Sequence, residues 1–358
     1  MKKLAMLAAL SLATSALAQD TAEPPVTPSA IVEASTAKDW IEIPAEDILV
    51  MELAPAANGS ERFVVIQLMP APFSQPWVEN IRTLARAHWW DSTSIYRSVD
   101  NWVVQWGGGD TELGFAPPEV PAGITSPTAP YDVARGSDGY RKLGRDVLQG
   151  WLASLPANHA VLLDEYTELV DSGQIDVVSE WFSQPDVYAK GTGFHQGWPV
   201  AANRDAAWPV HCYGSVGVAR DLAPDTGTGS ELYAVIGHSP RQLDRNIAVV
   251  GRVVDGMEYL STLPRGTGTQ GVYETREEDT PIISVRLASE RDDAATWRYE
   301  YFDTASESFA RYAKVSANRQ DDFYKVPAGG VDVCNLRALV RWIDPEAEAE
   351  AAVEAAAE

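Results

Sequence analysis

Short apolar runs broken by glycine, proline and polar turns constrain this chain more than any other feature. Ile48 to Leu53 and Arg62 to Met69 have the length and content of strands, with Asn58 and Gly59 between them as a hairpin turn. Ser94 to Val99 and Trp102 to Gln105 follow, ending at Gly107, Gly108 and Gly109, where the backbone can bend sharply. Strand patterns return at Ser215 to Ala219, Glu231 to Ile236, Ile247 to Val253 and Ile282 to Leu287. After Pro70, Pro72 and Pro76 the period changes. Trp77, Ile81, Leu84 and His88 share one helical face while Glu79, Arg82 and Arg86 lie off it, a helix laid against a sheet with His88 as a packing residue. Many short strands, glycine-rich connections and one early helix point to a closed or nearly closed antiparallel barrel, not a nucleotide-binding parallel sheet.

Between residues 111 and 210 the pattern loses regularity, opening with the proline-rich stretch Phe115 to Pro130. Tyr140 to Leu155 reads as a helix and Asn158 to Leu169 as a second, whereas Val178 to Tyr188 has no clear period. A structureless loop of that length is uncommon inside a compact domain, so the segment reads as an inserted subdomain. Downstream, Ser306 to Val315 suits a helix and Val333 to Trp342 a compact apolar element. The chain divides into a leader over 19–38, a core domain over 39–290 with its insertion, an extension over 291–343 and an acidic tail over 344–358.

At the N terminus, Lys2 and Lys3 precede an apolar run from Leu4 to Leu17, closed by the small-residue pattern of Ala16 and Ala18. That is the layout of a cleavable export signal over 1–18, with 19–38 a flexible leader rich in Pro, Thr, Ala and Ser. No apolar stretch reaches the ~20 residues that span a bilayer, so stable membrane insertion is not expected. The formal net charge is −23, and loss of two lysines with the signal makes the remainder more acidic. Phosphate contacts need a basic surface, so nucleic acid is not an expected partner. Export permits disulfides, and Cys212 and Cys334 can pair or stay free. The five histidines fall at no metal-ligand spacing. Gly227 to Ser230 lacks the lysine of a phosphate loop, and Gly266 to Gly271 lacks its strand-turn-helix setting. No cofactor and no metal are therefore expected.

The most distinctive segment is Tyr96-Arg97-Ser98-Val99-Asp100-Asn101-Trp102-Val103-Val104-Gln105-Trp106-Gly107-Gly108-Gly109-Asp110, shortly after Val78-Glu79-Asn80 on the helix. A second block runs Gly229-Ser230-Glu231-Leu232-Tyr233-Ala234-Val235, then Leu243-Asp244, Val249-Val250-Gly251 and Asp255-Gly256-Met257. Together, in this order, these blocks resemble the cyclophilin-type peptidyl-prolyl cis-trans isomerases. The resemblance covers approximately 46 to 110 and 211 to 288, with Trp106 as an extra residue between glutamine and glycines. It implies a mainly β fold: a closed eight-stranded antiparallel barrel capped by helices, with a substrate groove on one face.

The same resemblance implies isomerisation of X-Pro bonds in proline-containing polypeptides, with Arg97 as the catalytic group. Trp102, Val103, Tyr233, Ala219 and Leu243 match pocket residues, and Gln105 and Glu231 match polar positions beside them. Glu231 stands where the family has a second glutamine, Arg220 where it has an asparagine, and Ile247 where histidine is common. These departures weaken the polar clamp on the peptide backbone and keep a second reading open, a noncatalytic peptide-binding or scaffold module on the same barrel. With the export signal, the expected setting is the periplasm, or secretion in a cell without an outer membrane.

Overall fold

The computed structural model describes residues 26–109, 114–153, 168–169, 172, 186–321 and 323–346. The export signal, nearly all of the second insertion helix and of Val178 to Tyr188, and most of the acidic tail lie outside the described residues. A short strand β1 (Trp40–Glu42) precedes the hairpin of β2 (Ile48–Leu53) and β3 (Arg62–Leu68), then β4 (Ser94–Ser98) and β5 (Val103–Gly107). The insertion supplies β6 (Val133–Ala134), β7 (Gly191–His195), β8 (Trp198–Ala202) and β9 (Ala206–Pro209). Then come β10 (Ser215–Val218), β11 (Leu232–Val235), β12 (Val249–Asp255) and β13 (Thr280–Leu287), and finally β14 (Tyr299–Phe302) and β15 (Val340–Trp342).

Eight of these strands close into an antiparallel barrel in the order β10-β11-β5-β4-β13-β2-β3-β12. Side chains alternate across each strand, and the inner set comprises Leu49, Met51, Val64, Ile66, Val104, Trp106, Leu232 and Ala234 among others. Helix α2 (Gln75–Arg86) covers one end, burying Trp77, Val78, Ile81, Leu84 and Ala85. His88 departs from its expected packing role: it sits past the helix at φ 54°, its side chain 58% exposed beside Asp91. The helix period carried one residue too far, because the chain leaves the helix at Ala87 before His88 can face inward.

The outer barrel face is covered unevenly. Ile48, Val50 and Val65 point outward from β2 and β3 and meet Trp297, Tyr299 and Tyr301 of the extension, in the layer formed by β1, β14 and β15. This explains why Ile48 to Met51 is one apolar run without alternation: both of its faces are buried. The insertion forms a sheet in the order β6-β9-β8-β7. On β8, Trp198, Val200 and Ala202 join the barrel core, while Ala201 faces Cys212 and Val333. The insertion sheet is thus packed on both faces, and its strands were invisible as an alternating pattern. Arg252 of β12 anchors it, donating from Nε to Gln67 Oε1 at 2.9 Å and from Nη1 to Gly197 O at 2.6 Å, with its guanidinium 4.6 Å from the Trp198 ring centroid.

Part of the leader is ordered, contrary to a flexible 19–38. Thr27 caps helix α1 (Pro28–Glu33), and buried Ile31 brings it against the helix Glu307–Ala317 of the extension. Two adjacent apolar residues, Ile31 and Val32, in a polar stretch carry too little periodicity to announce this helix. The insertion helix α3 spans Asp138–Ala153, and Cys212 is bonded to Cys334 with Cα atoms 5.1 Å apart. The bond fastens the extension to the segment leading into β10. Replacing both cysteines by serine should lower unfolding stability by about 2–4 kcal/mol and expose 318–339 to proteolysis before the barrel is cut. Unchanged stability and an unchanged cleavage order would remove this role.

Candidate active site

A bulge in β4 sets up the groove. The pairing of β4 with β5 shifts between Ile95 and Arg97, so Tyr96 and Arg97, adjacent in sequence, both border the same outer groove. On β5 the alternation then sends Val103 and Gln105 outward and Val104 and Trp106 inward. Trp106 is 1% exposed and pairs with Leu232, so the residue read as an extra one between glutamine and glycines is an inward-facing core residue.

The groove encloses about 820 Å3 and has an apolar end and a polar end. Val103, Tyr233 and Val235 form the apolar floor, with Trp102, Ala219, Leu243 and Ile247 packed around them. Tyr233 lies flat against β10 at Gly217, where a Cβ would stand 2.3 Å from the phenol ring. Any larger residue at Gly217 displaces the ring from the pocket floor. Arg220 stays at the rim, its Nε and Nη2 donating to Asn246 O at 3.2 and 3.0 Å.

Arg97 stands where the two ends meet. Its Nε donates to Gln270 O at 2.9 Å, its Nη1 to Gln105 Oε1 at 2.9 Å, and its guanidinium lies 5.5 Å from the Trp102 ring centroid. Burial lowers its pKa from the usual arginine value, yet an arginine so placed remains a cation at neutral pH. From Arg97 a hydrogen-bond chain runs into the polar end. Gln105 Nε2 donates to Tyr96 Oη, Tyr96 Oη donates to Glu231 Oε2 at 2.7 Å, and Gly109 N donates to Glu231 Oε1 at 3.1 Å. A Cβ at Gly107 would come 2.4 Å from Glu231 Oε1, so the first glycine of the bend makes room for this carboxylate.

The insertion supplies part of the wall. Pro117 and Ser126 line the groove, and the Phe115 ring meets the Tyr96 ring edge-on at 4.8 Å between centroids. The Val78-Glu79-Asn80 element acts from below: Asn80 Nδ2 donates to Thr228 O at 2.9 Å and to Thr125 O at 3.0 Å, holding the groove loop and the insertion together. Every residue expected at the site, namely Arg97, Trp102, Val103, Gln105, Ala219, Glu231, Tyr233 and Leu243, borders this one groove. Reading the sequence missed Gln270 and Val272, which line the groove from the loop before β13. Gln270 acts through its backbone carbonyl, which no side-chain pattern reveals; the run Gly266 to Gly271 was the available signal, and it read only as a loop. Among the described residues no group of histidines, cysteines and carboxylates could hold a metal ion.

Burial pushes the Glu231 pKa above the ordinary glutamate value, against the Tyr96 hydroxyl and the Gly109 and Gly108 amides that favour the carboxylate. The folded chain therefore holds this proton more tightly than the unfolded chain. Its stabilising contribution is full below the unfolded pKa and is lost as pH rises through the folded one. Glu231→Gln keeps an acceptor but removes the titration. Denaturant midpoints should accordingly shift in favour of the variant, relative to wild type, between about pH 4 and pH 7. A difference that does not change over that range would contradict the buried-carboxylate account.

A solved structure shares this architecture. Cyclophilin AquaCyp293 from Hirschia baltica aligns with a TM-score of 0.55 at 16% identity, over 89% of this chain and 99% of its own, which shows a common fold. A Cryptosporidium parvum cyclophilin type peptidyl-prolyl cis-trans isomerase, solved in the presence of the dipeptide ala-pro, aligns at 10% identity over 67% of this chain and 98% of its own, with a TM-score of 0.33. No curated protein matches the chain. Residues 64–287, from β3 through β13 and more than half of the sequence, match the family model described as cyclophilin type peptidyl-prolyl cis-trans isomerase/CLD, and the chain belongs to that family.

Proposed function

We propose that this protein is a peptidyl-prolyl cis-trans isomerase that acts on X-Pro bonds of exported polypeptides, in the periplasm, by noncovalent stabilisation of the twisted amide. The observation that carries this reading is Arg97, braced by Gln270 O and Gln105 Oε1 above the apolar floor of Val103 and Tyr233. Rotation about an X-Pro bond crosses a barrier near ~18–20 kcal/mol because both planar states keep amide resonance. No bond needs to be made or broken to lower it. A site must seat the proline ring, hold the flanking chain and bind the twisted form more tightly than either planar form.

The groove has the parts for each task. Val103, Tyr233, Ala219, Leu243 and Ile247 offer an apolar seat of ring size. In the twisted amide the nitrogen lone pair is no longer delocalised and becomes an acceptor. Arg97 offers Nη hydrogens beyond the one committed to Gln105, and its fixed fork presents them with little loss of rotamer freedom. Gln105 and Tyr96 act first on Arg97: the chain through Gln105 Oε1 holds the guanidinium, so Gln105 is a brace as well as a candidate contact for the substrate backbone. At the polar end Glu231 accepts hydrogen bonds where an amide would also donate, so the peptide there meets acceptors.

Arg97→Ala should leave the fold intact and cut kcat/KM for a short proline peptide about a hundredfold, equivalent to about 2.7 kcal/mol of transition-state stabilisation. Arg97→Lys should recover little, since an ammonium carries the charge without the planar donors. Cis-trans exchange assays on wild type and both variants, beside a fold check, decide the point. Turnover that persists unchanged in Arg97→Ala would remove Arg97 from the mechanism. Peptide binding by wild type without faster exchange would select the noncatalytic module, and the departures Arg220, Glu231 and Ile247 would then be the first positions to restore.

A further inference from the structure

Behind the apolar floor lies a chain of buried polar groups that substrate chemistry does not require. The Tyr233 hydroxyl is 2.9 Å from His211 Nε2, and the two rings are nearly parallel, 10° apart with centroids separated by 6.3 Å. His211 Nδ1 is 2.9 Å from Asp244 Oδ1, which also accepts the His211 backbone N–H at 3.0 Å. Asp244 Oδ2 accepts from Arg241 Nε at 2.6 Å, and Arg241 donates from Nη1 and Nη2 to Asp186 at 2.8 and 3.0 Å. The side chains of His211, Asp244, Arg241 and Asp186 are 1%, 5%, 5% and 6% exposed. A carboxylate can only accept, so Nδ1 carries a proton toward Asp244, and in the neutral imidazole Nε2 then accepts the Tyr233 O–H.

Taking this many charges out of water is costly and is offset only by close, fully partnered geometry. Replacing such a network by an apolar core of equal volume is often neutral or stabilising, so its yield lies in what it holds in place. Three other pieces of the chain meet the His211 segment in it: β11 through Tyr233, the 241–247 turn that carries Leu243 and Ile247, and the insertion through Asp186. Cys212, next to His211, adds a fourth through its bond to Cys334 of the extension. Two of these pieces carry pocket residues.

We infer that His211 is a positioning residue for the proline pocket, anchoring the Tyr233 ring by its hydroxyl and, through Asp244, the turn that presents Leu243 and Ile247. The inference deepens the isomerase reading and rests on it. An anchored phenol cannot slide along β10 or leave its place over Gly217, so the floor is formed before substrate arrives and the ordering entropy is not paid on binding. The effect falls on ground-state and transition-state binding alike. It should therefore appear in KM more than in kcat.

Asparagine at 211 keeps a donor near the Nδ1 position for Asp244 but leaves Tyr233 without its partner, whereas glutamine keeps a group near Nε2. Tyr233→Phe removes the hydroxyl alone. With a short proline peptide, His211→Asn and Tyr233→Phe should each raise KM about fivefold with kcat within about twofold of wild type. The double variant should be no worse in KM than either single one, and His211→Gln should lie closer to wild type. A network that serves only stability would lower the melting temperature and leave KM of the folded protein at the wild-type value, and that result would overturn the inference. If His211→Asn fails to fold, Tyr233→Phe decides by the same criterion. Should wild type bind peptide without catalysing exchange, the isomerase reading falls separately, and peptide Kd in the same variants replaces KM as the deciding quantity.

Discussion

Closure of the barrel is the constraint on which everything else depends. With β10, β11, β5 and β4 held in one closed ladder, alternation leaves no freedom over which residues face out. Val104, Trp106, Leu232 and Ala234 fill the interior, and Val103, Gln105, Tyr233 and Val235 are presented on the other side. Over β2 and β3 that outer face is paved by Trp297, Tyr299 and Tyr301. Over β5 and β11 it is left as a groove. The site is the stretch of the outer face that the described part of the insertion borders through Pro117 and Ser126.

Within the groove one irregularity gives the polar chemistry its place. A regular β4 would turn Tyr96 and Arg97 to opposite faces; the shift between Ile95 and Arg97 brings both to the groove. The consequence is a continuous hydrogen-bonded line from Glu231 through Tyr96 and Gln105 to Arg97. Burial raises the pKa of Tyr96, so the phenol keeps its proton and stays a donor to Glu231. An acidic residue in place of a second amide is thus part of a self-consistent array in this chain. Its Tyr96 hydroxyl and Gly109 amide partners supply the donors that the carboxylate lacks.

Much of this was legible in sequence, and for stated physical reasons. Half-buried strands and an amphipathic helix leave periodic traces, so Ile48 to Leu53, Arg62 to Met69 and the Trp77 to Leu84 face appear in the structure nearly as read. Ordered motif blocks brought Arg97, Trp102, Val103, Gln105, Ala219, Glu231, Tyr233 and Leu243 to one place. What escaped was whatever depends on contacts distant in sequence. The β7 to β9 sheet is buried on two faces, so Trp198 to Ala202 shows no alternation of polarity. Gln270 contributes only a carbonyl, and Trp106 read as a surplus residue because its inward orientation follows from barrel register. His211 was weighed only as a metal ligand, since its partners Asp244 and Tyr233 lie 33 and 22 residues away.

The central claim is that the proline ring sits on Tyr233 and Val103 while Arg97 acts on the rotating bond. Equilibrium NMR exchange spectroscopy on an X-Pro peptide with isotope-labelled proline tests both halves at once, by reading isomer exchange and intermolecular contacts in one sample. The account predicts exchange cross-peaks between cis and trans far above the uncatalysed rate, together with contacts from the proline ring to the Tyr233 ring and the Val103 methyl groups. Exchange at the uncatalysed rate, or faster exchange with proline contacts confined to a surface away from Tyr233 and Val103, would contradict it.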